Sequence, residues 1–448
     1  MDMEKQAEII AVPFPYQGHT SPMLQFCRLL MDAGACPNVT LVLTHDVAKS
    51  IHRSSLAQII HTLELISDGN DGGGVPAAPP TFEEYREHVQ AAVSEGVAAV
   101  IKKRKRAKLL VFDSMMPWLA EIGRARGLRA AALFTQSASV CSIYYHMLQG
   151  RRVGERGDSD SAGAVVSLPA LPVPMELPSF SLFGEIAGEV EEFTLKQARN
   201  MGNADCLLFN TFDALEKEAV KWLSEKWAIK TIGPLVPRPD NKIDLYKSDH
   251  DQDCMKWLDA REPSSVVYAS FGTVVVWSEQ QMQEIAMGLA QSNKYFIWAV
   301  RDSEQSKIPK NFKPNTAQRG LILKWCPQVK VLSHKAVACF LTHCGWNSTL
   351  EALSLGVPVV AMPQMVDQPT NAKFIDDVWR VGIRVRVNER GIVTRQEVND
   401  RILEVMEGVR ADEIKRNAVK WKGLAGEALM EGGSSYVNIK NFISQLAM

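Results

Sequence analysis

The chain has 448 residues, 46% of them apolar and 23% charged, with a formal net charge of −1. That length can bury two separate cores, so two globular domains are expected. So even a charge balance gives no electrostatic basis for binding nucleic acid, and no apolar run approaches the ~20 residues that cross a bilayer.

Ile9 to Pro13 predicts a first strand, Met23 to Ala33 a helix stopped by Gly34, and Val39 to Leu43 a second strand. Strand, helix and strand at this spacing make the βαβ unit of a doubly wound sheet. Leu109–Phe112 and Ala130–Phe134 predict further strands. His19, in Pro15-Tyr16-Gln17-Gly18-His19, falls in a loop at the tip of the first strand, and Asp113 follows another strand tip. A His and an Asp at neighbouring strand tips can hydrogen-bond, the carboxylate fixing the imidazole tautomer for proton abstraction. The plainer alternatives are a structural histidine and a capping aspartate. Residues 68–80 and 151–163 are rich in Gly, Pro and polar residues and predict loops.

The basic run Lys102–Lys108 precedes an apolar strand and is expected to be a solvated helix end. The eight cysteines (Cys27, Cys36, Cys141, Cys206, Cys254, Cys326, Cys339 and Cys344) form no CxxC pair or metal-finger spacing. They suit reduced, mostly buried thiols. The polar start MDMEKQAE is unlike a signal peptide, so a cytoplasmic protein is expected. Asn38-Val39-Thr40 and Asn347-Ser348-Thr349 match the glycosylation pattern by chance on this reading. Three Asp-any-Asp triplets begin at Asp158, Asp249 and Asp251. Each could hold a divalent ion, but none sits at the end of an apolar strand, so all are expected to be solvated acids. Ile232 to Pro239, with the polar run to Asp253 behind it, predicts a linker. Ser265–Phe271 and Tyr295–Val300 open a second set of strands.

The most specific stretch is Trp325 to Gln368, WCPQVKVLSHKAVACFLTHCGWNSTLEALSLGVPVVAMPQMVDQ. Residues 336–343 suit a buried parallel strand. Cys344 to Ser348 turn the chain, and Ser348-Thr349-Leu350-Glu351 fits a capping box opening a helix that stops at Gly356. Val357 to Ala361 is the next strand. A helix N-terminus at the carboxyl end of a strand offers N–H groups and a positive dipole end to an anion. Gly345 permits close approach of the backbone, Asn347 and Ser348 add donors, and His343 stands at the strand tip. Each residue also has an ordinary reading: Glu351 a cap, Trp325 a core residue, Trp346 a turn-closing ring, Asp367 and Gln368 loop residues. All of these must hold together to remove the site.

This stretch resembles the sugar-donor signature of plant UDP-dependent glycosyltransferases acting on small molecules. PYQGHTSPM near the start, VVYASFGT at 266–273 and NAKFIDDVW…EGGSS near the end are similar to the same family, so the likeness covers most of the chain. It implies an α/β fold of the GT-B type, two facing doubly wound Rossmann-like domains with a cleft between them. It implies an acceptor-binding domain over 1–235, a linker over 236–253, a UDP-sugar domain over 254–429, and a last helix within 430–448 that packs back on the first domain.

The resemblance also assigns roles. Trp325 would stack on uracil, with Cys326 (through its backbone) and Gln328 serving the base and ribose and Glu351 holding the ribose hydroxyls. Thr273, His343, Asn347 and Ser348 would line the diphosphate, where Gly345 lets the backbone come close. Trp346, Asp367 and Gln368 would hold the sugar; from its own place after the Ala130–Phe134 strand, Thr135 is expected to reach the sugar's outer hydroxyl. His19 would be the general base, supported by Asp113. The reaction implied is inverting glucosyl transfer from UDP-glucose, a co-substrate, with no cofactor and no metal. The acceptor implied is an apolar phenolic, flavonoid, terpenoid or steroid. Phe14, Met115, Met116, Trp118, Phe134, Tyr144, Phe183 and Met365 are candidate walls for it, about half of them expected to face the cleft. Met365 stands where relatives often carry a bulky aromatic, which leaves the acceptor side open. A monomer is expected. Two other readings remain. A UDP-sugar-binding protein without chemistry is opposed by the presence of His19, Asp113, Asp367 and Gln368. A same-fold transferase acting on a membrane lipid is opposed by the lack of a basic amphipathic helix.

Overall fold

A computed structural model describes residues 8–32, 38–69, 82–149, 165–176, 189–237 and 251–445. Phe183, Cys36 and the acidic triplet at Asp158 lie outside the described residues, as do 151–163 and most of 68–80.

The first sheet has seven parallel strands: β1 (Glu8–Val12), β2 (Asn38–Thr44), β3 (Thr62–Ile66), β4 (Ala107–Asp113), β5 (Arg129–Phe134), β6 (Cys206–Phe209) and β7 (Ile229–Thr231). Their order is β3-β2-β1-β4-β5-β6-β7. The second sheet has six: β8 (Val266–Ser270), β9 (Tyr295–Ala299), β10 (Gly320–Leu323), β11 (Val337–Thr342), β12 (Val359–Ala361) and β13 (Gly382–Arg384), in the order β10-β9-β8-β11-β12-β13. The central strands β1, β4, β5, β8 and β11 are largely apolar because both faces of the sheet are covered there. Successive residues of β1 and β4 alternate between two cores: Ile10, Val12, Leu110 and Phe112 on one face, Ile9, Ala11, Leu109 and Val111 on the other.

In each sheet the strand order reverses beside the first strand, between β1 and β4 and between β8 and β11. Open α/β sheets bind ligands in the crevice at such a switch point. His19 follows β1 and Asp113 ends β4. Thr273 follows β8 and His343 follows β11.

Several boundaries differ from expectation. Helix α1 (Gln17–Asp32) starts well before Met23, so His19 sits in its first turn rather than in a loop. The triplet at Asp251 opens a helix, Asp251–Asp259. Among the described residues no three His, Cys, Asp or Glu side chains gather as a metal site would need. The basic run does end a helix, Phe82–Lys103, but two of its charges are engaged. Lys103 Nζ lies 2.8 Å from Glu64 Oε1, and Arg104 pairs with the same carboxylate. Seven cysteines are described, all buried and none in a disulfide. No helix among the described residues is long and apolar enough to cross a membrane.

The two halves touch at several points. Helix α2 (Ala138–Leu148) belongs to the first half, and α3 (Trp346–Leu355) and α4 (Gln368–Lys373) to the second. The indole N–H of Trp346 donates to Asn210 O at 2.7 Å, and that of Trp379 to Leu215 O at 3.2 Å. Helix α5 (Ser434–Ser444) returns to the first sheet, with Ser435 Oγ donating to Gly233 O at 2.5 Å and Phe442 against Phe26 at 6.0 Å between ring centroids.

Candidate active site

His19 Nδ1 stands 2.8 Å from Asp113 Oδ2 and 3.0 Å from Thr135 Oγ1. Asp113 is fully buried, and its other oxygen accepts the N–H of Met115 at 3.0 Å. An ionised carboxylate only accepts, so it takes the proton on Nδ1 and leaves the lone pair on Nε2. The His19 side chain keeps 26% of its surface exposed, so one edge of the ring is open. Burial lowers its pKa, but the charge of Asp113, the hydrogen bond to it and the charge of Asp367 outweigh burial and raise the pKa above its ordinary value.

Across the cleft, α3 starts at Trp346 with Gly345 as N-cap. The expected capping box is therefore corrected: Ser348 and Glu351 lie inside the helix and are held by another group. Gln328 Nε2 donates to Ser348 Oγ at 3.0 Å and to Glu351 Oε2 at 2.6 Å, while Gln328 Oε1 accepts from the Tyr268 hydroxyl at 3.1 Å. Burial pushes the Glu351 carboxyl up to about 7, against the pull of the Gln328 bond. Gly356 ends the helix with φ +72°, as expected of a left-handed cap.

Burial lowers the His343 imidazole to about 4, so it is neutral near pH 7. Two glycines make room for it. A Cβ on Gly272 or on Gly345 would stand 2.6 Å from His343 Nε2, and Gly272 also has φ +72°. Asp367 Oδ2 accepts from the backbone N–H of Trp346 at 3.2 Å and from Asn371 Nδ2 at 2.8 Å. Burial nonetheless pushes its carboxyl up to about 6. Gln368 Oε1 accepts the N–H groups of Gln364 and Met365 at 2.9 and 3.1 Å, so what it can offer a sugar is its amide N–H.

Other expected contacts need adjusting. The Trp346 indole is buried and committed to Asn210 O, so it does not face a sugar. The Thr135 hydroxyl lies on His19 Nδ1. Trp325 is half-buried in the loop after β10, Cys326 is buried, and Thr273 is exposed with its carbonyl accepting from Arg301. Of the acceptor walls, Met115, Trp118 and Met365 keep exposed surface and Phe14 packs edge-on to His19 at 5.4 Å. Met116, Phe134 and Tyr144 are core residues instead, Phe134 being stacked on Phe209 at 4.6 Å. Apolar side chains at those positions serve the sheet's packing first.

The sequence model of the family described as UDP-glucoronosyl and UDP-glucosyl transferase matches residues 202–424. UDP glycosyltransferase 9 of Catharanthus roseus is 42% identical, covering 98% of this chain and 96% of its own. Mogroside I-E synthase of Siraitia grosvenorii is 41% identical over 99% of this chain and 98% of its own. Among solved structures, Os79 from O. sativa in complex with U2F and trichothecene superposes with a TM-score of 0.86 at 35% identity, covering 98% of this chain and all of that one. The chain belongs to the UDP-glucoronosyl and UDP-glucosyl transferase family.

It is thus a glycosyltransferase of GT-B architecture. Within it, the site is also shaped by residues to which the sequence reading gave no role. Asn371 bridges Asp367 to the carbonyl of Cys344, 2.9 Å away. It stands one helical turn after Asp367, a spacing that could have flagged it. Glu216 is buried and caps the start of α2, accepting from the backbone N–H groups of Ala138 and Ser139 at 3.0 and 2.9 Å. Asn210 supplies only its backbone carbonyl to Trp346, and nothing local in the sequence points to that.

Proposed function

We propose that this glycosyltransferase moves glucose from UDP-glucose, with inversion, onto a hydroxyl or carboxyl group of an apolar small molecule. The observation that carries the reading is the 2.8 Å contact between His19 Nδ1 and buried Asp113, at the switch point of the first sheet. His19 Nε2 takes the acceptor proton as the acceptor oxygen bonds to the anomeric carbon. The bond from that carbon to the UDP oxygen breaks on the opposite face, and its electron pair leaves with UDP. Attack and departure on opposite faces give inversion in one displacement.

The leaving charge falls on the N-terminus of α3, with Asn347, Ser348, neutral His343 and Thr273 as donors. These fixed dipoles supply the stabilisation without a metal. Trp325, the Cys326 backbone, Gln328 and Glu351 hold the uridine, and Asp367 and Gln368 the sugar. Phe14, Met115, Trp118 and Met365 face the acceptor. An apolar lining with few polar groups suits such a ligand, and the likeness to mogroside I-E synthase and to the trichothecene complex of Os79 supports a small-molecule acceptor.

The test is a panel of phenols, carboxylic acids and terpenoid alcohols incubated with UDP-glucose and read by mass spectrometry for a single added hexose. His19→Ala should bind UDP normally and lose transfer by roughly 10²–10⁴-fold. No hexosylated product, or normal turnover by His19→Ala on a weakly acidic phenol, would end the reading.

A further inference from the structure

Gly18 lies in the first turn of α1, one residue before His19. Inside a helix its carbonyl would accept from the N–H four residues on. That residue is Pro22, which has no N–H to give. The carbonyl is met instead from the other domain: Asn347 Nδ2 donates to Gly18 O at 2.6 Å. Because the partner is a carbonyl, the amide nitrogen and not its oxygen must face Gly18. An amide nitrogen carries two hydrogens, and the second remains for the α3 N-terminus, where the diphosphate is placed above.

We infer that Asn347 is a positioning residue for His19, joining the donor diphosphate to the turn that carries the base through the two N–H bonds of one amide. The inference rests on His19 being the base. Its content is that a diphosphate drawing one N–H orients the amide, and the other N–H then holds the Gly18–His19 peptide. A bound diphosphate, by drawing the second N–H, holds the amide in the orientation that its bond to Gly18 uses. Pro22 makes the link possible by leaving the Gly18 carbonyl without its helical partner.

A double-mutant cycle tests it. Asn347→Ala is assayed at saturating UDP-glucose on acceptors of graded acidity, with UDP affinity titrated by calorimetry to check the donor site and the fold. The loss in kcat should grow as the acceptor becomes less acidic, from about 3-fold on an acidic phenol to about 30-fold on an alcohol. Asn347→Asp, similar in shape but unable to donate, should show the same trend. In the His19→Ala background Asn347→Ala should cost only what its diphosphate bond contributes, about 3-fold and the same on every acceptor. A loss independent of acceptor acidity, recovery by Asn347→Asp, or equal costs in both backgrounds on an alcohol would overturn the coupling. His19→Ala alone separates the two ideas. If it turns over normally the base assignment fails; if it is impaired and the cycle is additive, only the coupling fails.

Discussion

Asp113→Asn is the sharpest perturbation of the first domain's half of the site. The carboxylate is fully buried and makes two contacts, Oδ2 to His19 Nδ1 at 2.8 Å and Oδ1 from Met115 N–H at 3.0 Å. An amide cannot satisfy both. With its NH₂ toward His19 it forces the tautomer that carries hydrogen on Nε2, and the base has no lone pair to offer. With its oxygen toward His19 it sets an NH₂ against the Met115 N–H, leaving a buried donor without a partner. The first arrangement removes base catalysis, worth on the order of 10²–10⁴-fold. The second costs about 1–3 kcal/mol of stability. The assay is initial rate against pH at saturating UDP-glucose with a weakly acidic alcohol, alongside calorimetric UDP binding. His19 must be neutral to act, so rate rises with pH through its pKa. Asp113 raises that pKa, with Asp367 contributing. The variant's acid limb should therefore move to lower pH while its plateau falls. A plateau within about threefold of wild type, at unchanged limb position, would refute the reasoning.

Activity should survive excess EDTA; loss on chelation, restored by Mg²⁺ or Mn²⁺, would bring the acidic triplets back into consideration. UDP-glucose should outcompete UDP-galactose at equal concentration, because Asp367 and the Gln368 amide penalise a misdirected 4-hydroxyl left unpaired; a product mixture rich in galactoside would place sugar choice elsewhere. His343 is held near 4 against an ordinary 6.5, so the stability gained by keeping it neutral is full above pH 6.5 and is lost as pH falls toward 4. That contribution is roughly 3 kcal/mol at most. Denaturant midpoints at pH 7.5 and 5 should separate more for wild type than for His343→Asn, and equal separations would show that His343 is not the group responsible.

The strands were legible because burial on both faces writes an unbroken apolar run, as in Ile9–Val12 and Leu109–Phe112. The place of His19 and Asp113 at adjacent strand ends followed from the same runs. The start of α1 was not legible, since Gly18 and Pro22 look like breakers. The helix tolerates both because its first turn needs few internal bonds and Asn347 meets the Gly18 carbonyl. The start of α3 differs from the expected capping box for a related reason. Ser348 and Glu351 have the capping spacing, but Gln328 takes both side chains, and Gly345 forms the cap with φ −58° and ψ 148°. The commitments of the Trp346 indole and the Thr135 hydroxyl depend on partners far away in sequence, which no local pattern encodes.

Those distant partners share one property. Where side chains of the second domain reach into the first, at Asn347, Trp346 and Trp379, each lands on a backbone carbonyl: Gly18, Asn210 or Leu215. A carbonyl is present whatever side chain its residue carries. Replacing side chains on the acceptor side therefore leaves these three bonds intact so long as the backbone keeps its path. Trp346 extends the effect inward, because its indole is fixed on Asn210 while its own N–H holds Asp367. Asp367, the carboxylate proposed to hold the sugar, is thus indexed to the first domain's backbone and not to the residues proposed to face the acceptor. If Met115, Trp118 and Met365 face the acceptor as proposed, substitutions there should change which acceptor is used while UDP affinity and the His19-dependent pH profile stay as in the wild type.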